Sequence, residues 1–179
     1  MKKLSGPLNS DEFTLFTELL WRFGDSPTRM PVQAFYARLK AFTGNSSEIA
    51  LLRHGQGGIE IYLTKRPDDD PFFPGQWHGP GCMILNNEKI EDALKRMMVA
   101  EVGVDFPARY HRIFEWPYGH GPGLCPRGHT VCFYYSAMLS DEQAGKLKGG
   151  RFFPINDLPN PMVEVHTRMI GWLAKELSP

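Results

Sequence analysis

The 179-residue sequence has few cysteines, no excess of either charge and no long apolar run. Its three cysteines, Cys82, Cys125 and Cys132, lack the even number and spacing of a disulfide framework, which favours a reducing compartment. Lysine plus arginine equals aspartate plus glutamate at 20 each, so no net charge attracts nucleic acid or an acidic membrane. The first residues lack the apolar core of a signal peptide, and no segment is apolar enough to span a bilayer. These absences predict a soluble, cytoplasmic protein that binds neither nucleic acid nor membranes.

The length favours one domain with a terminal extension, divided into a helical extension over residues 1–45 and a main domain over 46–179. Apolar residues recur at helical spacing in two stretches of the extension: Phe13, Phe16, Leu19, Leu20 and Phe23, then Phe35, Tyr36, Leu39 and Phe42. We expect these two helices to pack on the sheet of the main domain. The alternatives are a homodimer contact or a cap over a ligand pocket.

The main domain alternates strand and helix patterns. Residues 47–53 and 59–65 predict a hairpin, because two apolar, β-branched runs flank a glycine-rich turn. Further strands are predicted after Pro107 and over residues 130–139. A last helix is predicted with Pro161 at its first position and an apolar face of Val165, Met169, Trp172, Leu173 and Leu177. Helices before and after a mixed set of strands predict an α/β sandwich.

One stretch, residues 81–104, carries a family signature: GCMILNNEKIEDALKRMMVAEVGV. It resembles the Nudix box, whose pattern is Gly, five residues, Glu, seven residues, Arg-Glu, an aliphatic, any residue, Glu-Glu, any residue, Gly and an aliphatic. Counted without a gap, the matching residues are Glu88, Arg96, Glu101, Gly103 and Val104. The preceding GQWHGPG, residues 75–81, resembles the Gly-x-Trp-x-x-Pro-Gly-Gly approach of many Nudix proteins. The resemblance to the MutT-like Nudix hydrolase superfamily implies an α/β/α sandwich with a mixed sheet.

Three positions depart from the pattern. Cys82 replaces the first Gly, Met97 replaces the Glu after Arg, and Ala100 replaces the first Glu of the pair. The resemblance implies hydrolysis of a nucleoside diphosphate linked to another group, assisted by divalent ions held by a cluster of carboxylates. With two of those carboxylates replaced by Met97 and Ala100, we expect catalysis to be impaired or rebuilt.

Helical geometry isolates the carboxylate that remains. The residues three and four positions before Glu101 share its face, and they are Met98 and Met97. A thioether is a soft ligand and a poor base, so it replaces neither a magnesium ligand nor a general base. Two interpretations stay open for Glu101: a single remaining metal ligand, or a structural carboxylate near the end of its helix.

The resemblance assigns candidate site residues. It places Glu88, Arg96 and Glu101 in the catalytic set, with Glu88 and Arg96 expected to hold the loop and helix together. If the protein is active, Glu101 and the carbonyl of Gly81 should hold Mg²⁺ or Mn²⁺, with Glu142 or Glu115 as a candidate to complete the metal site. Gly81, Trp77 and Tyr118 are candidate ligand-binding residues, because the two aromatic side chains lie in predicted loops and could stack on a base.

Several functional interpretations remain. The leading one is a hydrolase relative acting on or binding a small-molecule diphosphate ligand, and the alternative is a non-catalytic binding or regulatory module. A third is an interaction protein that uses its aromatic N-terminal helices. The two histidines and two cysteines of residues 120–132 also suggest a zinc site, but His129 and Cys132 would point to opposite faces of a strand. A loop-borne cysteine and histidine near a pocket is therefore the favoured interpretation.

Overall fold

The computed structural model describes residues 6–24, 31–103 and 106–178. Its helices are α1 Ser10–Gly24, α2 Val32–Ala41, α3 Ile90–Met97, α4 Asp141–Ala144 and α5 Glu164–Glu176. Its strands are β1 Gly44–Gly55, β2 Gly58–Lys65, β3 Trp77–His78, β4 Gly81–Met83, β5 Arg109–Trp116, β6 Thr130–Met138 and β7 Gly150–Pro154. Across those three ranges, none of the helices has the length and apolar character needed to cross a bilayer.

The seven strands form one mixed sheet in the order β3-β2-β1-β6-β5. The central strand β1 pairs in parallel with β6, and every other pairing is antiparallel. On its other edge, β1 pairs first with β4 and then with β2, while β7 pairs with β2. The sheet with its flanking helices confirms the predicted α/β class, and the β1–β2 hairpin lies where the alternating pattern predicted it.

Each face of the sheet carries its own core, because successive side chains of a strand point to opposite faces. On the first face, Ile49 and Leu51 of β1 pack with Leu94 and Met97 of α3. On the second face, Ala50 and Leu52 pack in a cluster that includes Met169 of α5. We call these the α3 face and the α5 face.

The N-terminal helices do not pack as expected. The apolar residues of α1 whose side chains the structure describes remain exposed, with Phe13 at 60% and Leu19 at 43% of full exposure. Phe16 stacks on Phe42, with 6.4 Å between the ring centroids. In α2, only Leu39 among the described apolar residues is buried. The prediction that both helices cover the sheet is therefore wrong for α1.

The start of the last helix also differs from the prediction. Helix α5 begins at Glu164, so Pro161 does not occupy its first position. The reason is a pair of backbone hydrogen bonds with β3. The N–H of Trp77 donates to the Pro161 carbonyl, and the N–H of Val163 donates to the Trp77 carbonyl. The chain between the proline and the helix thus runs beside β3 before the helix can start.

Candidate functional site

Helix α3 turns an apolar stripe towards the sheet. Met97 and Met98 are 1% and 4% exposed and pack in the core of the α3 face. The helix then widens into a π-helical segment, Met98–Val102, where the N–H of Gly103 donates to the Met98 carbonyl at 2.9 Å. Gly103 adopts φ +81°, a conformation that suits glycine and ends the helix. Glu101 lies in the π-helical segment, and its side chain lies outside the described part of the structure.

Arg96 and Glu88 form a two-pronged ion pair beside this helix. Arg96 Nε lies 2.7 Å from Glu88 Oε1, and its terminal nitrogen lies 2.9 Å from Oε2. The same nitrogen donates to the Met83 carbonyl at 3.0 Å, and the N–H of Leu85 donates to Glu88 at 2.8 Å. The hydrogen bond from Arg96 lowers the pKa of Glu88. This geometry ties strand β4 and the following turn to the helix.

A cleft opens on the α5 face, beside the start of the box. It measures about 90 Å³, several times the ~10–15 Å³ that one water molecule needs. The residues that line it come from α2, β1, β3, β4, β5, β6, α5 and the loops after β2 and before β6: Leu39, Ser46, Glu48, Arg66, His78, Gly81, Cys82, Met83, Trp116, Cys125, Arg127, Thr130, Cys132, Val165, His166 and Met169. All three cysteines of the chain are therefore on this one cleft.

Glu48 brings a carboxylate into the cleft from the central strand. It pairs with Gly81 across β1 and β4, and its carboxylate lies over the Gly81 α-carbon. A Cβ at position 81 would overlap that carboxylate, so a larger residue there would require the Glu48 side chain to move. Sequence reasoning missed Glu48, because in the strand SEIALLR it looks like one polar residue of an alternating pattern.

Two histidines hold the peptide groups of Gly79, just before β4. The His78 ring donates from Nδ1 to the Gly79 carbonyl at 2.7 Å, and Thr64 Oγ1 lies 3.2 Å from its Nε2. The Gly79 N–H donates to His166 Nδ1 at 3.2 Å. Because that Nδ1 accepts, the neutral ring of His166 carries its proton on Nε2.

Burial keeps both rings neutral. Burial, followed by the charge of Arg66, lowers the pKa of His78 to about 4. Burial and the neighbouring His78 lower the pKa of His166 well below its usual value. The two rings meet edge to face, with their centroids 5.7 Å apart. Sequence reasoning missed His166, because a histidine between Val165 and Thr167 on an amphipathic helix carries no signal of its own.

Two arginines line the cleft and differ in their partners. Arg66 is paired with Asp70, whose Oδ2 lies 2.6 Å from its terminal nitrogen. Asp70 also accepts the N–H groups of Phe72 and Phe73, so it holds the loop before β3 in place. Arg127 instead lies over the Phe73 ring at 5.2 Å from its centroid. No carboxylate in the three described ranges forms an ion pair with Arg127.

The remaining predicted site residues do not form one cluster. Gly81 lines the cleft, whereas Trp77 packs edge to face on Phe153, with Arg151 over both rings. Tyr118 is 50% exposed in the loop after β5. The two acids proposed to complete a metal site lie apart on the surface: Glu115 contacts His129 at 2.8 Å, and Glu142 contacts Lys146 at 2.6 Å.

The described side chains do not fit a bound metal cluster. Among the described side chains, which do not include that of Glu101, no group of three or more histidine, cysteine or acidic residues could hold an ion. The same observation gives no zinc site to the loop before β6, where Cys125 and Cys132 are buried thiols. A magnesium site made by several box carboxylates is not supported by these residues, since Met97 occupies one carboxylate position and packs in the core.

Comparison with known proteins agrees with this geometry. The family model described as NUDIX domain matches residues 46–173. The Nudix domain of Shewanella oneidensis NrtR, crystallised with ADP-ribose, is similar in fold at 20% identity and a TM-score of 0.61, covering 83% of this chain and all of that one. A mutT/nudix family protein from Listeria innocua is 22% identical with a TM-score of 0.62, covering 75% of this chain and 93% of that one. A MutT NUDIX hydrolase from Burkholderia pseudomallei is 23% identical with a TM-score of 0.56, covering 73% and 97%. No curated protein matches the sequence.

The family match extends over most of the chain, from the start of β1 into α5. The chain belongs to the Nudix family. The solved structures compared above are all less than 25% identical in sequence, and they show that the chain shares their fold.

Proposed function

We propose that this chain is a ligand-binding member of the Nudix family that takes up a nucleoside diphosphate compound and hydrolyses it slowly or not at all. The observation that carries the proposal is the position of Met97. Where the Nudix box has a carboxylate, this chain has a thioether that is 1% exposed in an apolar core. Loss of a positioned general base alone typically slows a reaction about 10²- to 10⁴-fold.

The cleft supports the binding half of the proposal. It keeps several hydrogen-bonding and charged groups on a mostly buried surface, which is typical of small-molecule sites. Glu48, Arg127 and His166 reach it from three different elements of the fold. Residues held this way need little rearrangement when a ligand binds, which limits the entropy cost of binding.

The first test measures binding and turnover in the same preparation. ADP-ribose is the first probe, since a NrtR Nudix domain of similar fold was crystallised with it. Other nucleoside diphosphate derivatives complete the panel. Binding is measured by calorimetry in the presence of a chelator. Cleavage of the diphosphate bridge, which yields two phosphate monoesters, is measured by chromatography with Mg²⁺ or Mn²⁺, for the natural protein and for Glu101→Gln. The proposal expects binding of at least one compound by both proteins, and metal-dependent turnover that is absent or at least about 10²-fold slower than that of a control Nudix enzyme.

The second candidate is a rebuilt hydrolase, favoured by the Arg96–Glu88 pair that still ties the helix to β4. Metal-dependent turnover in the natural protein at a rate similar to that of the control enzyme, lost in Glu101→Gln, would establish this candidate and overturn the proposal. If no compound of the panel binds, while a control Nudix enzyme hydrolyses the same compounds, the ligand class is wrong.

A further inference from the structure

Three hydrogen-bond donors on the cleft have no acceptor among the described residues. The first is the guanidinium of Arg127, whose contact within those residues is the face of Phe73. The second is Nε2–H of His166, since the other ring nitrogen already accepts from Gly79. The third is Nε1–H of Trp116, a buried indole donor that forms no hydrogen bond within the described structure.

Such donors are costly to leave without acceptors. A buried donor without a partner costs about 1–3 kcal/mol, and a partly buried charge costs more. His166 is 5% exposed and Trp116 is 7% exposed, so bulk water hardly reaches either side chain. A group of donors without an acceptor on one cleft therefore calls for an acceptor from a ligand.

We propose that Arg127, His166 and Trp116 form a phosphate-binding subsite inside the cleft on the α5 face. An anion suits this group, because all three residues line the same cleft and each offers a donor, while the acceptor nitrogen of His166 is already used by Gly79. Arg66 adds little attraction, because Asp70 already pairs with it. The inference rests on the proposed function only for the statement that this phosphate belongs to a diphosphate-containing ligand.

The charged residues of the cleft indicate which part of it an anion would occupy. The charge of Arg127 acts on both His78 and His166. The charge of Glu48 instead acts on Cys132 and Tyr134 of strand β6. The cleft thus contains both a basic group, Arg127, and an acidic group, Glu48. A phosphate suits the first, and a donor group of the same ligand, such as an amine or hydroxyl, suits the second.

The test uses inorganic pyrophosphate as the probe and the three thiols of the cleft as the reporter. The rate of cysteine alkylation is measured at low salt as pyrophosphate is added, and protection gives its apparent Kd. Arg127→Gln removes the charge. His166→Asn keeps an acceptor for the Gly79 N–H near the position of Nδ1 but lacks the Nε2–H donor. Trp116→Phe removes only the indole donor and part of the ring. Arg112→Gln is the matched control, because Arg112 also lies over aromatic rings, those of Phe114 and Trp172, but does not line the cleft.

We expect Arg127→Gln to weaken pyrophosphate binding about tenfold to a hundredfold, the usual range for a lost hydrogen bond to a charged group. His166→Asn and Trp116→Phe should weaken binding by smaller factors, and Arg112→Gln should not change it. Arg127→Lys should recover only part of the binding, because an ammonium cannot replace a planar fork of donors.

Three outcomes overturn the inference: pyrophosphate does not protect the natural protein, Arg127→Gln and Arg112→Gln weaken pyrophosphate binding equally, or Arg127→Gln leaves the binding unchanged.

Calorimetry with ADP-ribose separates this inference from the proposed function. If the whole nucleotide panel fails to bind but pyrophosphate binding depends on Arg127, the proposed function fails and the subsite stands. If a nucleotide binds the natural protein and Arg127→Gln equally well, the subsite fails and the proposed function stands.

Discussion

The two faces of the central sheet carry different kinds of buried groups. On the α3 face, where the helix of the Nudix box packs, the buried core is built largely from aliphatic side chains and methionine. On the α5 face, the cleft contains Glu48, two arginines and two histidines next to a second apolar core. The helix of the Nudix box thus packs on the apolar face, and the groups able to bind a polar ligand lie on the other face.

The helix of the Nudix box and the cleft are held in place by different sets of interactions. The helix keeps its shape through apolar burial and through the Arg96–Glu88 pair, neither of which requires a metal. The cleft keeps its shape through the hydrogen bonds of His78 and His166 to Gly79. A change on one face should therefore leave the properties of the other face largely intact, and the following predictions test that separation.

The largest effect is expected from Met97→Glu, which restores the carboxylate of the family pattern. Because Met97 is 1% exposed, the substitution buries an acid without a partner and should lower the free energy of unfolding by about 4 kcal/mol. Chemical denaturation measures this. Val99→Glu is the control on the exposed side of the same helix, since Val99 is 55% exposed, and it should cost less than about 0.5 kcal/mol. A stable Met97→Glu protein with new metal-dependent turnover would show that the helix can still present a catalytic acid.

The second-largest effect is expected on the α5 face, where two buried histidines make the stability of the fold depend on pH. His78 has a pKa of about 4 in the folded protein, whereas an unfolded histidine titrates near 6.5. The unfolded chain therefore binds more protons below pH 6.5, so stability is complete above that pH and falls as the pH drops towards 4. The loss from His78 should reach up to about 3 kcal/mol, and His166 adds a loss of the same sign.

Denaturant titrations between pH 7 and 4 measure this dependence. His78→Gln should flatten the curve, although it also lowers stability at neutral pH because two hydrogen bonds are lost. His54→Gln is the control, since His54 is exposed and away from the cleft. Equal slopes in the natural protein and in His78→Gln would contradict the assignment to this ring.

A smaller effect is expected from Glu88→Gln, which weakens the ion pair with Arg96. The Glu88 side chain is 13% exposed and that of Arg96 is 40% exposed, so solvent screens part of the interaction. We expect a loss of about 1–2 kcal/mol in the free energy of unfolding. Ligand binding in the chelator should not change. A large loss of binding with normal stability would assign Glu88 to the ligand site instead.

The smallest effect is expected at the end of β6, where Ser140 caps α4. Its hydroxyl accepts the N–H of Gln143, and the Gln143 side chain accepts the N–H of Ser140. Ser140→Ala should cost about 1 kcal/mol, and Ser140→Thr should retain most of that stability. Neither change should alter binding in the cleft. Any altered binding would mean that α4, which contributes Ala144 to the core of the α3 face, communicates with the cleft.

The sequence predicted the features that depend on local patterns. The apolar stripe of α3 followed from helical spacing, and the resemblance to the box led us to expect that Glu88 and Arg96 hold the loop and helix together. The structure confirms that Arg96 finds its acceptor in Glu88. The π-helical segment was not predicted, because one extra residue in a turn leaves no signal in an apolar run such as MVAEV.

The cleft could not be predicted, because tertiary contacts create it. Glu48, Arg127 and His166 are separated by tens of residues, and each looks ordinary in its own segment. Only the parallel pairing of β1 with β6, together with the packing of α5, brings them onto one surface. Helix α1 is the opposite case. Its amphipathic pattern predicted that its apolar side chains would be buried, but the described ones are exposed.

The contact between Glu48 and Gly81 has a consequence for how relatives of this chain can diverge. The carboxylate occupies the space that any larger residue at position 81 would need. A lineage that replaces the glycine must shorten, remove or reorient the glutamate, so the two positions constrain each other. An alignment of near relatives should therefore show the two positions changing together, and a relative with alanine at 81 and glutamate at 48 should be rare.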